Sequence, residues 1–328
     1  MEKGRFPFSM LHKNGRKGLL HLRAPAEYSF KRASFRKQLP LHLMLLPCVV
    51  VVLVYCYYPM IGLSIAFQNY NPRMGFFGSK WVGLANFRYL MMMPNFKQVL
   101  FNTLFISLMK MVAGMIVPIV YALLLDQIRI SALKRTIQTI IYIPHFLSWI
   151  ILGGILIDLL SPSTGLINSV CRLIGVETPF LLANPVAFPY LLVITDVWKS
   201  AGYGTIIYLA AITSIDPFLY EAALMDGANR CQQMLHITIP GMLPIIVLMA
   251  TLSLGNILNA GQDQVLTLYS PIVYSTGDIL DTFVYRIGLQ NNQFSVATAA
   301  GLFKSAVSFV FIAIGYGLAY RYADYTIF

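Results

Sequence analysis

The sequence predicts an all-α protein: a polytopic membrane helix bundle of about six transmembrane helices. Three observations lead there. Of 328 residues, 57% are hydrophobic and only 11% are charged, whereas a soluble domain carries about 25% charged residues. The apolar residues gather into long runs, and about 20 such residues let an α-helix cross a hydrocarbon core. Basic residues crowd the N-terminus just before the first run, as expected of a cytoplasmic N-terminal segment.

That segment, residues 1–38, holds Lys3, Arg5, Lys13, Arg16, Lys17, Arg23, Lys31, Arg32, Arg36 and Lys37. It can lie on anionic lipid headgroups. The net charge of +11 therefore reflects topology, and no nucleic-acid partner is expected. Residues 39–328 read as one transmembrane domain. Its first apolar run is too long for a signal-peptide core and lacks a small-residue cleavage pattern, so it reads as retained.

Six spans follow in order: 39–67, 99–125, 137–160, 187–212, 241–258 and 294–320. The first has His42 as its one ionisable side chain, and the second contains Lys110. The third carries His145 directly after Pro144, and Asp158 near its end. The fourth contains Asp196 and Lys199; the fifth is uncharged but short; the sixth contains Lys304. Orientation comes from the connecting Lys and Arg residues. With the N-terminus inside, the cytoplasmic segments hold the N-terminal block plus Arg129, Lys134, Arg135, Arg230 and Arg321. The outer segments hold Arg73, Lys80, Arg88, Lys97, Arg172 and Arg286. The N-terminal block decides the matter, and six spans then place the C-terminus inside too. Three long loops, 68–98, 161–186 and 259–293, fall outside. The last contains apolar stretches such as Val265–Tyr269 and reads as dipping partly back against other helices, where protein can cover its backbone. Cys48, Cys56, Cys171 and Cys231 form no C-x-x-C pair, so neither a disulfide nor a metal site is read.

The cytoplasmic connection 213–240 carries the strongest functional signal. Asp216 can cap a helix that starts at Pro217. Gly227 can end it in a left-handed conformation, and a second short helix runs on until Pro240 restarts the chain into span five. Glu221 and Asp226 make the first helix polar, while Ala222 and Ala223 leave little bulk, which suits close docking into a groove of another protein. An ordinary capped surface helix is the plain alternative.

Glu221-Ala222-Ala223, Gly227 after three residues, and Ile237-Thr238-Ile239-Pro240 after nine more resemble the signature E-A-A-x3-G-x9-I-x-L-P of binding-protein-dependent ABC import permeases. The one departure is Ile239 for Leu. Gly83-Leu84, Asn86-Phe87 and Asn102-Thr103 are similar to that family's entry into its second span. Tyr269–Gly288 and Ala297–Ser305 resemble the subgroup importing oligo- and polysaccharides, which includes LplB-type permeases and the alginate importer's permease. The resemblance implies a type I importer permease fold in a bacterial cytoplasmic membrane, moving sugar by alternating access. Glu221, Ala222, Ala223, Asp226, Gly227, Ile237 and Pro240 would form the coupling helix and its frame, seated in a cleft of the ATP-hydrolysing subunit. It also implies the partners: a second permease, two ATP-binding subunits that hold ATP and Mg, an external solute-binding protein, a carbohydrate substrate and membrane lipid.

The chain itself has no G-x-x-x-x-G-K-[ST] phosphate loop, since Gly75–Lys80 has the wrong spacing. It has no G-x-S-x-G or H-E-x-x-H motif either. It is expected to be no enzyme and to bind no cofactor, and a membrane hydrolase is disfavoured. Intramembrane ionisable residues are costly and so are candidates for function. Asp196 and Lys199, three apart, can pair, as a structural ion pair or as part of a sugar pathway with Tyr203. Ser253, Asn256 and Asn259 recur every third residue and either line the same pathway or bond between helices. Lys110 and His145 read as inter-helix contacts or snorkelling groups. The rival from another class is an ion-coupled secondary transporter using Asp158, Asp196 and Lys199, for which the coupling signature would have no use.

Overall fold

The computed structural model describes residues 35–175 and 180–323, with side chains for 39–175 and 180–317. The basic residues Lys3 to Arg32 lie outside the described residues. The chain divides into two compact units, Met1–Pro59 and Met60–Phe328. In the first, α1 (Phe35–Val52) runs into a π turn, Leu53–Tyr57. Leu43, Met44, Leu45 and Leu46, four successive residues that point to all sides of it, are exposed. A helix apolar all round belongs in lipid or in a core.

A 3-10 run, Tyr58–Phe67, leads to a two-stranded antiparallel ribbon, β1 (Gln68–Asn69) with β2 (Lys80–Trp81), around the short α2 (Gly75–Gly78). Next come α3 (Ala85–Met92), α4 (Phe96–Asp126), α5 (Ser131–Tyr142), α6 (Trp149–Leu159) and α7 (Leu166–Leu173). They are followed by α8 (Phe188–Thr213), α9 (Pro217–Met225), α10 (Arg230–Gln233) and α11 (Ile239–Leu254). The fold ends with α12 (Gln262–Leu268), α13 (Tyr274–Gly277), α14 (Leu280–Tyr285) and α15 (Phe294–Ala323). Among the described residues, four helices are long and apolar enough to cross a membrane, and six spans result if two bent pairs each count as one. Helices prevail because hydrocarbon leaves each backbone N–H and C=O to be satisfied within the segment.

The second, fourth and sixth spans match the expected helices closely. The third does not run straight. Its halves, Ser131–Phe146 and Trp149–Leu159, meet at 102°. Pro144 opens a 3-10 turn, Leu147 and Ser148 are extended, and the Ser148 hydroxyl caps α6 by accepting from Ile151 N at 3.3 Å. The fifth span also differs. Pro240 does not restart the chain; α10 passes through a π turn, Met234–Thr238, into α11, giving one helical run from Arg230 to Leu254. A proline at the second position of α11 replaces a donor that the π register no longer needs. The helix stops at Leu254, so Asn256 and Asn259 stand in the turns beyond it.

The loop 259–293 is core. Val265, Val273, Ile279 and Leu280 are fully buried there. Val265, Val273 and Ile279 pack with Ile106, Leu152, Phe188 and Leu192, and Leu280 joins Phe96, Val99 and Ala300 in a second cluster. Two motif residues in the first turns of span two anchor this loop. Asn102 Nδ2 donates to the Ser275 and Asp278 carbonyls at 3.1 and 3.2 Å, and Thr103 Oγ1 accepts from Leu280 N at 2.8 Å. Asn86 Nδ2 donates to the Ala66 and Gln68 carbonyls. Within the loop, Arg286 bonds both Asp278 carboxylate oxygens and lies over the Tyr274 ring at 4.7 Å. Burial opposes the Arg286 charge, but the Asp278 carboxylate outweighs it and holds the Arg286 pKa above its ordinary value.

The largest packing contact is α4 on α8. On its other side, α8 approaches the broken span so closely that a Cβ on Gly202 would lie 1.9 Å from the Ile141 carbonyl oxygen. Helix propensity alone makes Gly→Ala favourable by about 1 kcal/mol. At Gly202 the collision reverses the sign, and Gly202→Ala is expected to destabilise the purified protein by about 1–3 kcal/mol. Gly114→Ala, with nothing within 4 Å, is the control and should be neutral or mildly stabilising in the same unfolding measurement.

Candidate functional site

Two assemblies of polar residues stand out. The first surrounds a cavity of about 230 Å³ between α4, α8 and the end of α11, lined by Ser107, Lys110, Asp196, Ser253, Asn256 and Asn259 among others. Its fixed point is Lys110, 8% exposed on α4. Its ammonium donates to the Ala260 carbonyl at 2.7 Å and to Gln264 Oε1, and lies 3.6 Å from Asp196 Oδ1. Gln264 is fully buried, and its amide donates onward to the Leu192 carbonyl and Thr195 Oγ1, each at 2.8 Å. One buried network thus fastens α4, α8 and α12. Lys110 is an inter-helix contact and does not snorkel.

Asp196 therefore pairs with Lys110, and the expected Asp196–Lys199 ion pair does not form. Lys199 turns instead to the break in span three. There Nζ donates to the His145 carbonyl at 2.8 Å and lies 5.6 Å from the Trp149 ring. The Tyr203 ring stacks on His145 with centroids 4.1 Å apart and planes within 3°. The physical reason is the break: backbone outside a helix frees a carbonyl that must be satisfied inside the membrane. Of the six pathway candidates, Asp196, Ser253, Asn256 and Asn259 meet at the cavity, while Lys199 and Tyr203 clamp the break. Ser253 returns its proton to the Met249 carbonyl, Asn259 Nδ2 donates to Asn256 Oδ1 at 3.0 Å, and Lys304 joins Asn259 Oδ1 (2.7 Å) and Asp281 Oδ1 (2.6 Å). Sequence reasoning missed Ser107 and Gln264. Ser107 lies one turn before Lys110 on the same helix, a signal that could have found it.

The second assembly is the segment between α8 and α11. At its start α9 leaves α8 at 68°. Asp216 Oδ1 accepts from Phe218 N at 3.0 Å with Pro217 at the first helical position, as the sequence predicts. At its end Gly227 adopts φ +80°, Ala228 N donates to Ala223 O at 2.8 Å, and Gly227 N to Leu224 O at 3.1 Å. These bonds form a Schellman motif, which requires a left-handed residue. Asn229 and Gln232 close a reciprocal capping box on α10. Tyr220 OH meets Thr238 Oγ1 at 3.0 Å and holds α9 against the π turn. No residue of α9 is buried, and Glu221, Ala222, Phe218, Leu224 and Met225 are exposed. Ala223, Asp226, Gly227 and Ile237 frame one groove of about 330 Å³. Pro240 does not border it; it lies in the first turn of α11 behind.

A helix bundle with several apolar, membrane-length helices and a polar cavity among them is an architecture suited to a transport permease. A family model described as "binding-protein-dependent transport system inner membrane component" matches residues 114–323, and the chain belongs to that family. It is 43% identical over 284 residues to the polygalacturonan/rhamnogalacturonan transport system permease protein YteP of Bacillus subtilis (strain 168), covering 87% of this chain and 88% of that one. Protein LplB of the same organism is 38% identical over 280 residues, with coverage of 85% and 88%. A crystal structure of a bacterial ABC transporter involved in the import of the acidic polysaccharide alginate contains a chain that superposes with a TM-score of 0.82 at 36% identity, covering 88% of this chain and 97% of that one. The chain is thus a permease subunit of an ABC importer, and the ion-coupled reading is set aside.

The partner exchange is testable by double-mutant cycles on the purified protein. Groups in contact couple, and groups that share no partner add. Lys110→Met with Asp196→Asn should show a coupling above about 1 kcal/mol, and Asp196→Asn with Lys199→Met below about 0.5 kcal/mol. The reverse order would restore the Asp196–Lys199 pair.

Proposed function

We propose that this chain is the permease subunit of an ATP-driven importer of oligo- or polysaccharide, with alginate-like and galacturonan-like chains as the substrate class. The observation that carries the transport mechanism is the capped segment 216–240. Both ends of α9 are fixed by caps, its outer face is free, and a groove lies beside it. A lever must be rigid and must be gripped, and these features supply both. On this reading two ATP-binding subunits, holding ATP and Mg, grip Glu221, Ala222, Ala223, Asp226 and Gly227, with Ile237 and Pro240 transmitting the motion into α11. A second permease completes the path, and an external solute-binding protein delivers sugar. Both termini face the cytoplasm.

The relatives named above support the substrate class. So does the cavity of Asp196, Ser253, Asn256 and Asn259, because carboxylate, hydroxyl and amide groups suit the donors and acceptors of a sugar.

In the reconstituted transporter, Glu221→Lys and Gly227→Pro should abolish uptake while the subunit stays inserted in the membrane. Uptake at the normal rate in both would sink the coupling role. For topology, Ser163→Cys and Ser275→Cys should react with an impermeant thiol reagent in cells whose outer barrier is opened, on a background lacking other cysteines. Ala132→Cys should react only after the cytoplasmic membrane is permeabilised; labelling in the opposite sense would invert the orientation.

A further inference from the structure

The cavity has a polar inventory that discriminates between two parts of a sugar. Ser107 is 4% exposed, lines the cavity, and its Oγ has no hydrogen-bond partner among the described residues. That is unusual on a helix. Thr103, Ser200 and Ser253 return their protons to a carbonyl one turn back; Ser107 does not. A buried polar group without a partner costs free energy and calls for an explanation. Asp196 is 30% exposed, and its Oδ1 lies 3.6 Å from Lys110 Nζ. Among the described residues its Oδ2 accepts no hydrogen bond, which leaves it acceptor capacity. Asn256 uses its carbonyl oxygen on Asn259, and among the described residues its amide donates to no acceptor.

The cations beside the cavity are, by contrast, already engaged. Lys110 donates to the Ala260 carbonyl and to Gln264 Oε1 and is paired with Asp196 at 3.6 Å, and Lys304 is neutralised by Asp281. An incoming carboxylate would meet the Asp196 carboxylate, and among the described residues the cations at this cavity, Lys110 and Lys304, already have acidic partners. A hydroxyl would donate to Asp196 and accept from Ser107 or Asn256.

Resting on the carbohydrate reading above, we infer that Ser107, Asp196 and Asn256 form a hydroxyl-reading subsite, and that an acidic sugar passes with its carboxylate turned away from it. Ser107 and Asp196 determine specificity for ring hydroxyls, and the charge of Lys110 holds Asp196 in place and does not bind anions.

The test uses the assembled transporter in proteoliposomes with three probes: an oligogalacturonide, its carboxyl-reduced neutral counterpart, and monodeoxy analogues of the neutral form. Wild-type uptake should fall about fivefold for the deoxy analogue that lacks the contacted hydroxyl, the loss of one neutral hydrogen bond, and Ser107→Ala should erase that discrimination. Asp196→Asn should lower uptake of the acidic and neutral probes by the same factor, about tenfold, since a charged acceptor is lost in both cases. A purely structural Ser107 would leave deoxy discrimination unchanged in the variant, and that result overturns the inference. So does an Asp196→Asn transporter that gains selectively for the acidic probe, because it would place the carboxylate in the cavity. If Asp196→Asn fails to assemble, Ser107→Ala alone decides. Wild-type failure to take up any of these probes or alginate oligosaccharides would instead remove the carbohydrate reading itself.

Discussion

The Lys110 ammonium sits in the middle of a membrane-spanning helix with 8% of its side chain exposed, and hydrocarbon offers it no partner. Everything around it is arranged to supply one. Asp196 comes from α8, the Ala260 carbonyl from the turn after α11, and Gln264 from α12. Gln264 is then committed to α8 through Leu192 and Thr195. Removing a single member would leave others buried without partners, so the network fixes how three segments distant in sequence meet. The apolar cluster of Ile106, Leu152, Phe188, Leu192 and Val265 packs the same segments together. Packing supplies contact area, and the network supplies register.

This arrangement makes α8 the common wall of the molecule. Toward α4 and α12 it offers Asp196 and the cavity. Toward the broken third span it offers Lys199, Gly202 and Tyr203. The bend in that span exposes the His145 carbonyl, which Lys199 satisfies, and the stacked Tyr203 ring covers the imidazole. Beyond Thr213 the chain turns by 68° into the coupling segment. On the function proposed above, a displacement of α9 would act on a helix whose sides are tied to both the cavity and the break.

Much of this was legible in the sequence because it depends on local rules. Apolar length gave the second, fourth and sixth spans, and Asp216, Pro217 and Gly227 gave the ends of α9, each through backbone donors or φ that act within a few residues. What was not legible depends on long-range partners. Asp196 and Lys199 stand three apart and could pair on an isolated helix, yet Lys110 lies 86 positions away and claims Asp196. The break at Pro144 and Ser148 is masked in the sequence by the apolar run around them. Pro240 looked like a restart because a π turn that absorbs a proline leaves no mark in the sequence. The apolar stretch Val265–Tyr269 marks the loop 259–293 as folding back against other helices, but its anchors on α4, Asn102 and Thr103, are again long-range partners.

On the proposed function, ATP hydrolysis on partner subunits, transmitted through the 216–240 segment, drives sugar through this bundle. The most direct measurement is uptake of labelled oligosaccharide into proteoliposomes containing the whole transporter and its binding protein, with ATP on the cytoplasmic side and ion gradients collapsed. Uptake is expected to persist without any gradient, to require ATP and the binding protein together, and to be accompanied by sugar-stimulated ATP hydrolysis. Uptake that needs an ion gradient and continues without ATP would contradict the claim.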